Sequence, residues 1–218
     1  MERFEIENES LLEVVKYITP KPKWMKKKVG KIKIVGTVKY HKKFKSTFLQ
    51  NERDIIVWLP PSYNTELEKK YPVLYMHDGQ NIMDPKTSFA GVDWRADETA
   101  TKLIKEHKLN EIIIVGIYNT PDRLEEYSDS KKGENYIKFL IEELKPFIDS
   151  NYRTKIDKEN TAVMGSSMGG LISFLIVWKY PDVISKAASL STSFYYDNEK
   201  AIEMVKNENV QKNIKVYI

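Results

Sequence analysis

The 218-residue chain contains no cysteine, only three histidines, and no apolar run long enough to span a membrane. Because cysteine is absent, the sequence excludes a disulfide framework and a cysteine nucleophile. The three histidines are dispersed and match no metal-ligand spacing, and the chain holds neither a P-loop nor a G-x-G-x-x-G turn after a strand. We therefore expect no metal, no cofactor and no membrane partner.

The chain also lacks the features that divide a protein into domains. No Gly/Ser-rich linker, internal repeat or low-complexity tract interrupts it, and its length suffices for one large core. We therefore expect a single domain over residues 1–218. The acidic residues 1–9 do not have the basic and then apolar layout of a signal peptide, which predicts a cytoplasmic protein.

The net charge of +4 is unevenly distributed along the chain. Residues 16–45 carry 12 lysines and no acidic residue, with tyrosine and tryptophan interleaved, a composition that also occurs in nucleic-acid-binding segments. However, the lysines alternate with apolar residues, as on an exposed sheet edge, and no arginine is present for bidentate phosphate recognition. We therefore expect no nucleic-acid partner.

Hydrophobic periodicity predicts an α/β fold. Residues 31–39 alternate between apolar residues and lysine, which is typical of a half-solvated antiparallel strand, and residues 54–59 are its predicted neighbour. Short continuous apolar runs predict parallel strands buried on both faces, at 73–76, 112–117, 162–164, 187–190 and 214–218. Helical patterns alternate with them, at about 96–107, 134–149, 168–180 and 198–207. The prediction is a mostly parallel central sheet with antiparallel N-terminal strands and helices on both faces.

The most informative motif is a G-x-S-x-G turn between a predicted strand and a predicted helix, with Ser167 at its centre. A serine hydroxyl can attack a carbonyl only if it projects clear of the backbone, and such a turn achieves this by straining the serine. Gly165 and Gly169 would permit the close contact that the turn requires. The sequence thus predicts Ser167 as nucleophile and the N–H of Met168, at the helix start, as an oxyanion donor.

Five segments, in this order, resemble the putative-esterase family of the α/β-hydrolase fold, which includes esterase D, enterochelin esterase and feruloyl esterase domains. They are residues 51–63, 73–81, 92–98, 119–127 and 165–170. The resemblance covers most of the chain. It implies that the N–H of Gln80 is the second oxyanion donor, with Gly79 permitting the turn before it.

Histidine is the difficulty for this interpretation. Serine esterases of this fold place their triad in the order serine, acid, histidine, yet His41, His77 and His107 all precede Ser167. The sequence therefore predicts a family member whose C-terminal part, with the acid and the histidine, is missing. Within the chain, His77 is an alternative base and Asp197 a possible acid. His41 is expected to be exposed, and His107 to be a solvated residue at a helix end.

Polar and aromatic residues on loops near the carboxyl ends of the strands are candidates for substrate binding, although aromatic residues there also close cores. The candidates are His77, Trp94, Arg123, Tyr127 and Phe194. The spacing of Arg123 and Glu126 also predicts a surface ion pair.

Two functions remain open at this point. One is a serine carboxylic-ester hydrolase acting on a small, aryl or sugar-linked ester; the other is a non-catalytic α/β-hydrolase-like binding domain. An uncovered sheet edge would also favour a homo-oligomer.

Overall fold

The computed structural model describes residues 34–208 and 210–218. The acidic N-terminal segment, most of the lysine-rich segment and the start of the strand predicted at 31–39 lie outside the described residues. The predictions that concern residues 1–33 therefore stay predictions.

One seven-stranded sheet organises the described chain, with the strand order β1-β2-β4-β3-β5-β6-β7. The strands are β1 Thr37–Phe44, β2 Arg53–Leu59, β3 Val73–His77, β4 Ile113–Ile117, β5 Thr161–Ser166, β6 Lys186–Leu190 and β7 Lys215–Tyr217. β2 is antiparallel to both β1 and β4, and the remaining pairs are parallel, which confirms the mostly parallel sheet with antiparallel N-terminal strands. Of the strand predicted at 31–39, residues 37–39 lie in β1, and the described residues 34–36 precede it.

Within the described ranges, six α-helices connect these strands. They are α1 Ala96–Lys105, α2 Arg123–Glu126, α3 Lys131–Lys138, α4 Lys145–Asn151, α5 Met168–Lys179 and α6 Tyr196–Glu208. The helix predicted at 134–149 is confirmed as part of one continuous helical stretch from Lys131 to Asn151, in which a π-helical segment, Phe139–Leu144, joins α3 to α4. Pro146 follows this segment. Because proline has no N–H to donate to the carbonyl four residues earlier, the regular α-helical hydrogen-bond pattern is interrupted, and the backbone widens before it.

Alternation along the strands builds a core on each face of the sheet. Ile55 and Val57 of β2 face the side that α3, α4 and α5 cover, whereas Ile56 and Trp58 face the side that α1 covers. The prediction of helices on both faces is therefore confirmed.

Helix α5 is buried almost all round, from Met168 to Trp178. A helix without a polar face is stable only inside a protein, so its packing is fixed from every side. Its buried hydroxyl, on Ser173, donates to the carbonyl of Gly169 at 2.7 Å. None of the described helices is long and apolar enough to cross a membrane.

A buried ion pair joins the start of β2 to helix α2. Arg53 contacts Glu126 through two nitrogen–oxygen pairs, at 2.7 and 3.1 Å, and the side chains are 1% and 0% exposed. Asn51 donates to the same carboxylate at 2.8 Å. The predicted surface pair between Arg123 and Glu126 is therefore wrong, because these two tertiary partners occupy Glu126.

Candidate active site

Ser167 lies at the apex of the turn between β5 and α5, and its side chain is exposed. Its backbone angles, φ 59° and ψ −119°, fall in a region that non-glycine residues rarely adopt. A Cβ atom on Gly165 would lie 2.4 Å from the carbonyl oxygen of Gly169, so the first glycine of the motif is required by close backbone approach. The predicted strand–turn–helix geometry is confirmed.

The end of β6 and the loop that follows it hydrogen-bond to this turn. The N–H of Ser167 donates to the carbonyl of Leu190 at 2.9 Å, and the carbonyl of Ser167 accepts from the N–H of Ser193 at 3.2 Å. The two side-chain oxygens, Ser167 Oγ and Ser193 Oγ, are 3.0 Å apart. Sequence reasoning missed Ser193; the only available signal was the polar run that follows the apolar strand at 187–190.

The loop that follows β3 lies beside the same turn. Since β3 and β5 are parallel neighbours, with Met76 opposite Met164, their carboxyl ends meet at one sheet edge. A Cβ atom on Gly169 would lie 3.4 Å from Asp78 Oδ2 and 3.5 Å from the Cβ of His77, so the start of α5 packs against the end of β3 and the loop after it. Within the described residues, the backbone N–H groups of Gln80 and Met168 have no hydrogen-bond acceptor. Both are therefore available as donors to a bound group.

Gly79 has a different role from the one expected. The left-handed residue of this loop is Asp78, at φ 58°, and not the glycine. A Cβ atom on Gly79 would lie 2.5 Å from the carbonyl carbon of Gly116 in β4. Glycine is needed here because the loop crosses the neighbouring strand in backbone contact, and not because the turn demands a positive φ.

Arg123 holds this loop through Asp78. Its Nε and one terminal nitrogen contact the two carboxylate oxygens of Asp78, each at 2.7 Å, and Asn119 donates to the same carboxylate at 2.6 Å. The guanidinium also lies over the ring of Tyr127, 5.1 Å from its centre. The structure thus places Arg123 in a bidentate ion pair at the rim of the site, so its charge is already compensated.

Replacing Arg123 with methionine is expected to lower the free energy of unfolding by about 1.5–3 kcal/mol, the usual value of hydrogen bonds to a charged group. The reason is that Asp78, which is only 7% exposed, would lose its counter-charge. Urea unfolding of both proteins measures the difference. Lys132→Met is the control, because Lys132 pairs with Glu125 at an exposed site, where solvent screening leaves an ion pair little effect on stability. Equal losses in the two variants would contradict the prediction.

His77 and Tyr127 are buried and cannot contact a substrate, so their prediction as substrate-binding residues is wrong. Both residues are 0% exposed: core residues cover both faces of β3, and the ring of Tyr127 packs against those of His77 and Tyr136, with ring centres 5.3 and 5.1 Å away. His77 Nδ1 lies 2.8 Å from the hydroxyl of Tyr136, and burial lowers the pKa of His77 to about 3. The alternative in which His77 is the base of Ser167 therefore lacks support, since this imidazole contacts Tyr136 instead.

The other two histidines are also remote from Ser167 in their contacts. His41 is half-buried, against expectation, because it bonds the hydroxyl of Tyr152 at 2.7 Å and packs edge-on against Phe147. His107 is exposed with φ 55° just beyond α1, as expected of a solvated residue at a helix end. All three histidines are described, and none hydrogen-bonds Ser167. Asp197 is exposed, with a carboxylate oxygen 3.9 Å from Lys200, and likewise does not hydrogen-bond Ser167.

Trp94 and Phe194 lie on loops that follow β3 and β6, at the sheet edge that carries Ser167. Both are half-buried. Trp94 packs against the core on the α1 side, and Phe194 packs edge-on against Phe174 with ring centres 5.3 Å apart. The structure thus brings these two aromatic residues to the rim of the site, and their contact with a substrate stays a prediction.

A cluster of three carboxylates precedes and begins α1, and sequence reasoning did not anticipate it. Asp93, Asp97 and Glu98 each bring an oxygen within 4.8 Å of the others, a spacing that suits a hard cation. Burial and a hydrogen bond with Glu98 raise the pKa of Asp97 to about 7. Asp97 is therefore protonated in part of the molecules near neutral pH, which reduces the repulsion within the cluster.

A cavity of about 580 Å³ lies at the opposite edge of the sheet, where the strands begin. Ligands of open α/β sheets bind at the carboxyl ends of the strands, so this cavity is not the candidate active site. Its lining is rich in lysine: Lys69, Lys70, Lys155, Lys158, Lys186 and Lys215.

Comparison with known proteins identifies the family. The family model described as "Putative esterase" matches residues 46–218. The protein described as endo-1,4-beta-xylanase/feruloyl esterase, of Xylanibacter ruminicola, is 34% identical over 147 residues, which are 66% of this chain and 20% of that protein. Protein YbbA of Bacillus subtilis is 26% identical over 159 residues, 67% of this chain and 59% of its own length. The chain therefore spans about three fifths of one of these relatives and a fifth of the other.

Solved structures agree on the fold. The enterobactin esterase FES of Shigella flexneri, determined in the presence of enterobactin, superimposes with a TM-score of 0.70 at 18% identity, over 85% of this chain and 46% of that one. At this identity the likeness establishes the α/β-hydrolase type of fold and not the substrate. With this fold, the turn at Ser167 and the match over residues 46–218, the chain belongs to the putative-esterase family.

Proposed function

We propose that this domain is a serine carboxylic-ester hydrolase in which Ser167 attacks the ester carbonyl. The observation that carries the proposal is the geometry of Ser167, a strained and exposed serine at a strand–helix turn. Such strain persists at functional sites, where it holds a side chain in a reactive position. Membership of an esterase family supports the same reaction.

The surroundings of Ser167 supply the remaining electrostatic element. Attack by Oγ places negative charge on the carbonyl oxygen of the substrate, and backbone N–H groups stabilise that charge in esterases. In the proposal, Met168 and Gln80 donate these two hydrogen bonds, and the start of α5 adds favourable partial charge. The alcohol then leaves, and water hydrolyses the acyl group from Ser167.

The proton of Ser167 needs an acceptor, and none of the three histidines of the chain is in contact with it. This observation favours a second candidate function, a domain that uses the same site to bind an ester without turnover. The two candidates differ in one measurable property, which is whether a base supplied from solution makes Ser167 reactive.

An aryl or sugar-linked ester is the proposed substrate class. The relatives named above include a feruloyl esterase and an enterobactin esterase, which supports an aromatic or carbohydrate-linked ester here as well. Trp94 and Phe194, at the rim of the site, offer apolar rings against which an aryl group could pack.

The test measures hydrolysis of p-nitrophenyl acetate and methyl ferulate by the 218-residue chain in rising concentrations of imidazole. We expect imidazole to raise the rate above that measured without protein by about 10²-fold, the lower end of what a general base contributes, and the Ser167→Ala variant to show no such increase. Ser166→Ala is the matched control, since its side chain lies next to the nucleophile without being the apex of the turn.

An imidazole response that is the same in wild type and in Ser167→Ala would reflect imidazole acting on the ester alone. That result would overturn the hydrolase proposal. Saturable binding of methyl ferulate without turnover would then support the binding domain.

A further inference from the structure

We propose that Ser193 is a positioning residue for Ser167: its buried hydroxyl fixes the side chain of Ser167 in the orientation from which Oγ attacks. The inference rests on the proposed function and adds to it a residue outside the G-x-S-x-G turn. Its basis is the 3.0 Å contact between Ser167 Oγ and Ser193 Oγ.

Main-chain hydrogen bonds hold the two serines next to each other, independently of the contact between their side chains. The N–H of Ser167 donates to the carbonyl of Leu190, at the end of β6, and the carbonyl of Ser167 accepts from the N–H of Ser193, in the loop after β6. Helix α5 allows this approach because Gly170 has no side chain: a Cβ there would lie 2.7 Å from Thr192 Oγ1 and 3.1 Å from the carbonyl of Leu190. The position of Ser193 relative to Ser167 is therefore set by main-chain contacts and close packing.

The two hydroxyls differ in their freedom. Ser167 is exposed, so its side chain would otherwise exchange among the three staggered rotamers within nanoseconds. Ser193 is 2% exposed, and within the described residues its only side-chain partner is Ser167 Oγ. A fixed, buried hydroxyl thus holds a mobile, exposed one, because a buried polar group without its partner is unfavourable.

The direction of the hydrogen bond follows from the chemistry. During attack the proton of Ser167 must pass to a base, so Oγ can no longer donate and becomes an acceptor with increasing negative charge. Ser193 then donates its own O–H to this oxygen and keeps its proton throughout. No covalent bond to Ser193 forms or breaks, which makes it a positioning residue and not a second nucleophile.

The experiment compares wild type, Ser193→Ala and Thr192→Val in the imidazole-supplied ester assay. We expect Ser193→Ala to lower kcat by about three- to tenfold, the range of one neutral hydrogen bond, with KM and the thermal midpoint unchanged. Thr192→Val is the matched control: its hydroxyl, on the same loop, is buried without a partner among the described residues, so its removal should leave kcat unchanged.

Crystal structures of wild type and Ser193→Ala provide a readout that needs no activity. We expect one χ1 rotamer of Ser167 in wild type and several in the variant. A single rotamer in both proteins would overturn the positioning role, as would an unchanged kcat in a Ser167-dependent reaction. Turnover that does not depend on Ser167 would contradict the proposed function and not the role of Ser193. In that case the rotamers of Ser167 in the two crystal structures test the role of Ser193.

Discussion

Replacing Glu126 with alanine is expected to lower the free energy of unfolding by about 3–5 kcal/mol, the usual cost of breaking a buried ion pair from one side. The variant would leave the guanidinium of Arg53 charged, 1% exposed and without its carboxylate, while Asn51 would lose an acceptor as well. Burial disfavours a charge that has no partner, and arginine does not deprotonate to escape this penalty. Urea unfolding at pH 7 measures the loss.

Two further variants distinguish the cost of leaving one buried charge without a partner from the cost of losing the ion pair altogether. Arg53→Met combined with Glu126→Leu removes both charges, and we expect it to lose much less stability than Glu126→Ala, because neither charge remains buried. Lys45→Ala removes a nearby but exposed ion pair, with Glu52, and is expected to cost under about 1 kcal/mol. The prediction fails if the double variant is as unstable as the single one.

Acidification is expected to destabilise wild type relative to a His77→Phe variant, by about 1.4 kcal/mol for each pH unit below 6.5. Burial lowers the pKa of His77 from 6.5 to about 3, so between these values the unfolded chain binds a proton at this site and the folded protein does not. Stability from neutral His77 is therefore fully present above pH 6.5 and is lost as the pH falls towards 3. Phenylalanine keeps an aromatic ring beside Tyr127 and Tyr136 without titrating.

The effect of His77 is isolated only by the difference in the free energy of unfolding between wild type and His77→Phe, because the titration of Asp97 changes stability in the opposite direction. The pKa of Asp97 is raised from 3.8 to about 7, so stability from its protonated form is present at low pH and lost as the pH rises through that window. The two contributions partly cancel in wild type between about pH 4 and 6.5. Free energies of unfolding in urea at pH 7.5, 6.5, 5.5 and 4.5 provide the comparison, and parallel profiles for wild type and His77→Phe would refute the prediction.

The local geometry around the turn was accessible from the sequence, because a G-x-S-x-G motif carries its own backbone requirements. Gly165 is needed because its backbone packs against that of Gly169. The buried helix that begins at Met168 is predicted by a continuous apolar run in the sequence. The alternation of strands and helices was accessible for the same reason: each apolar run is a property of consecutive residues.

The side-chain partners were not accessible in this way. A strand buried on both faces gives no periodicity to tell which face His77 occupies, so its orientation towards Tyr136 appears only in three dimensions. The spacing of Arg123 and Glu126 suits a local pair, but their partners come from distant segments and satisfy each charge better. Ser193 belongs to no motif, and only the packing of its loop brings it to Ser167.

The backbone of Ser167 places a limit on how stable this protein can be. A glycine at position 167 would adopt φ 59° without strain, whereas a serine there costs about 1–3 kcal/mol, a sizeable part of the 5–15 kcal/mol that typically separates folded from unfolded domains. Selection for stability alone would therefore replace this serine. If Ser167 is the nucleophile that we propose, stability and chemistry make opposite demands on position 167, and a Ser167→Gly variant is expected to be more stable and inactive.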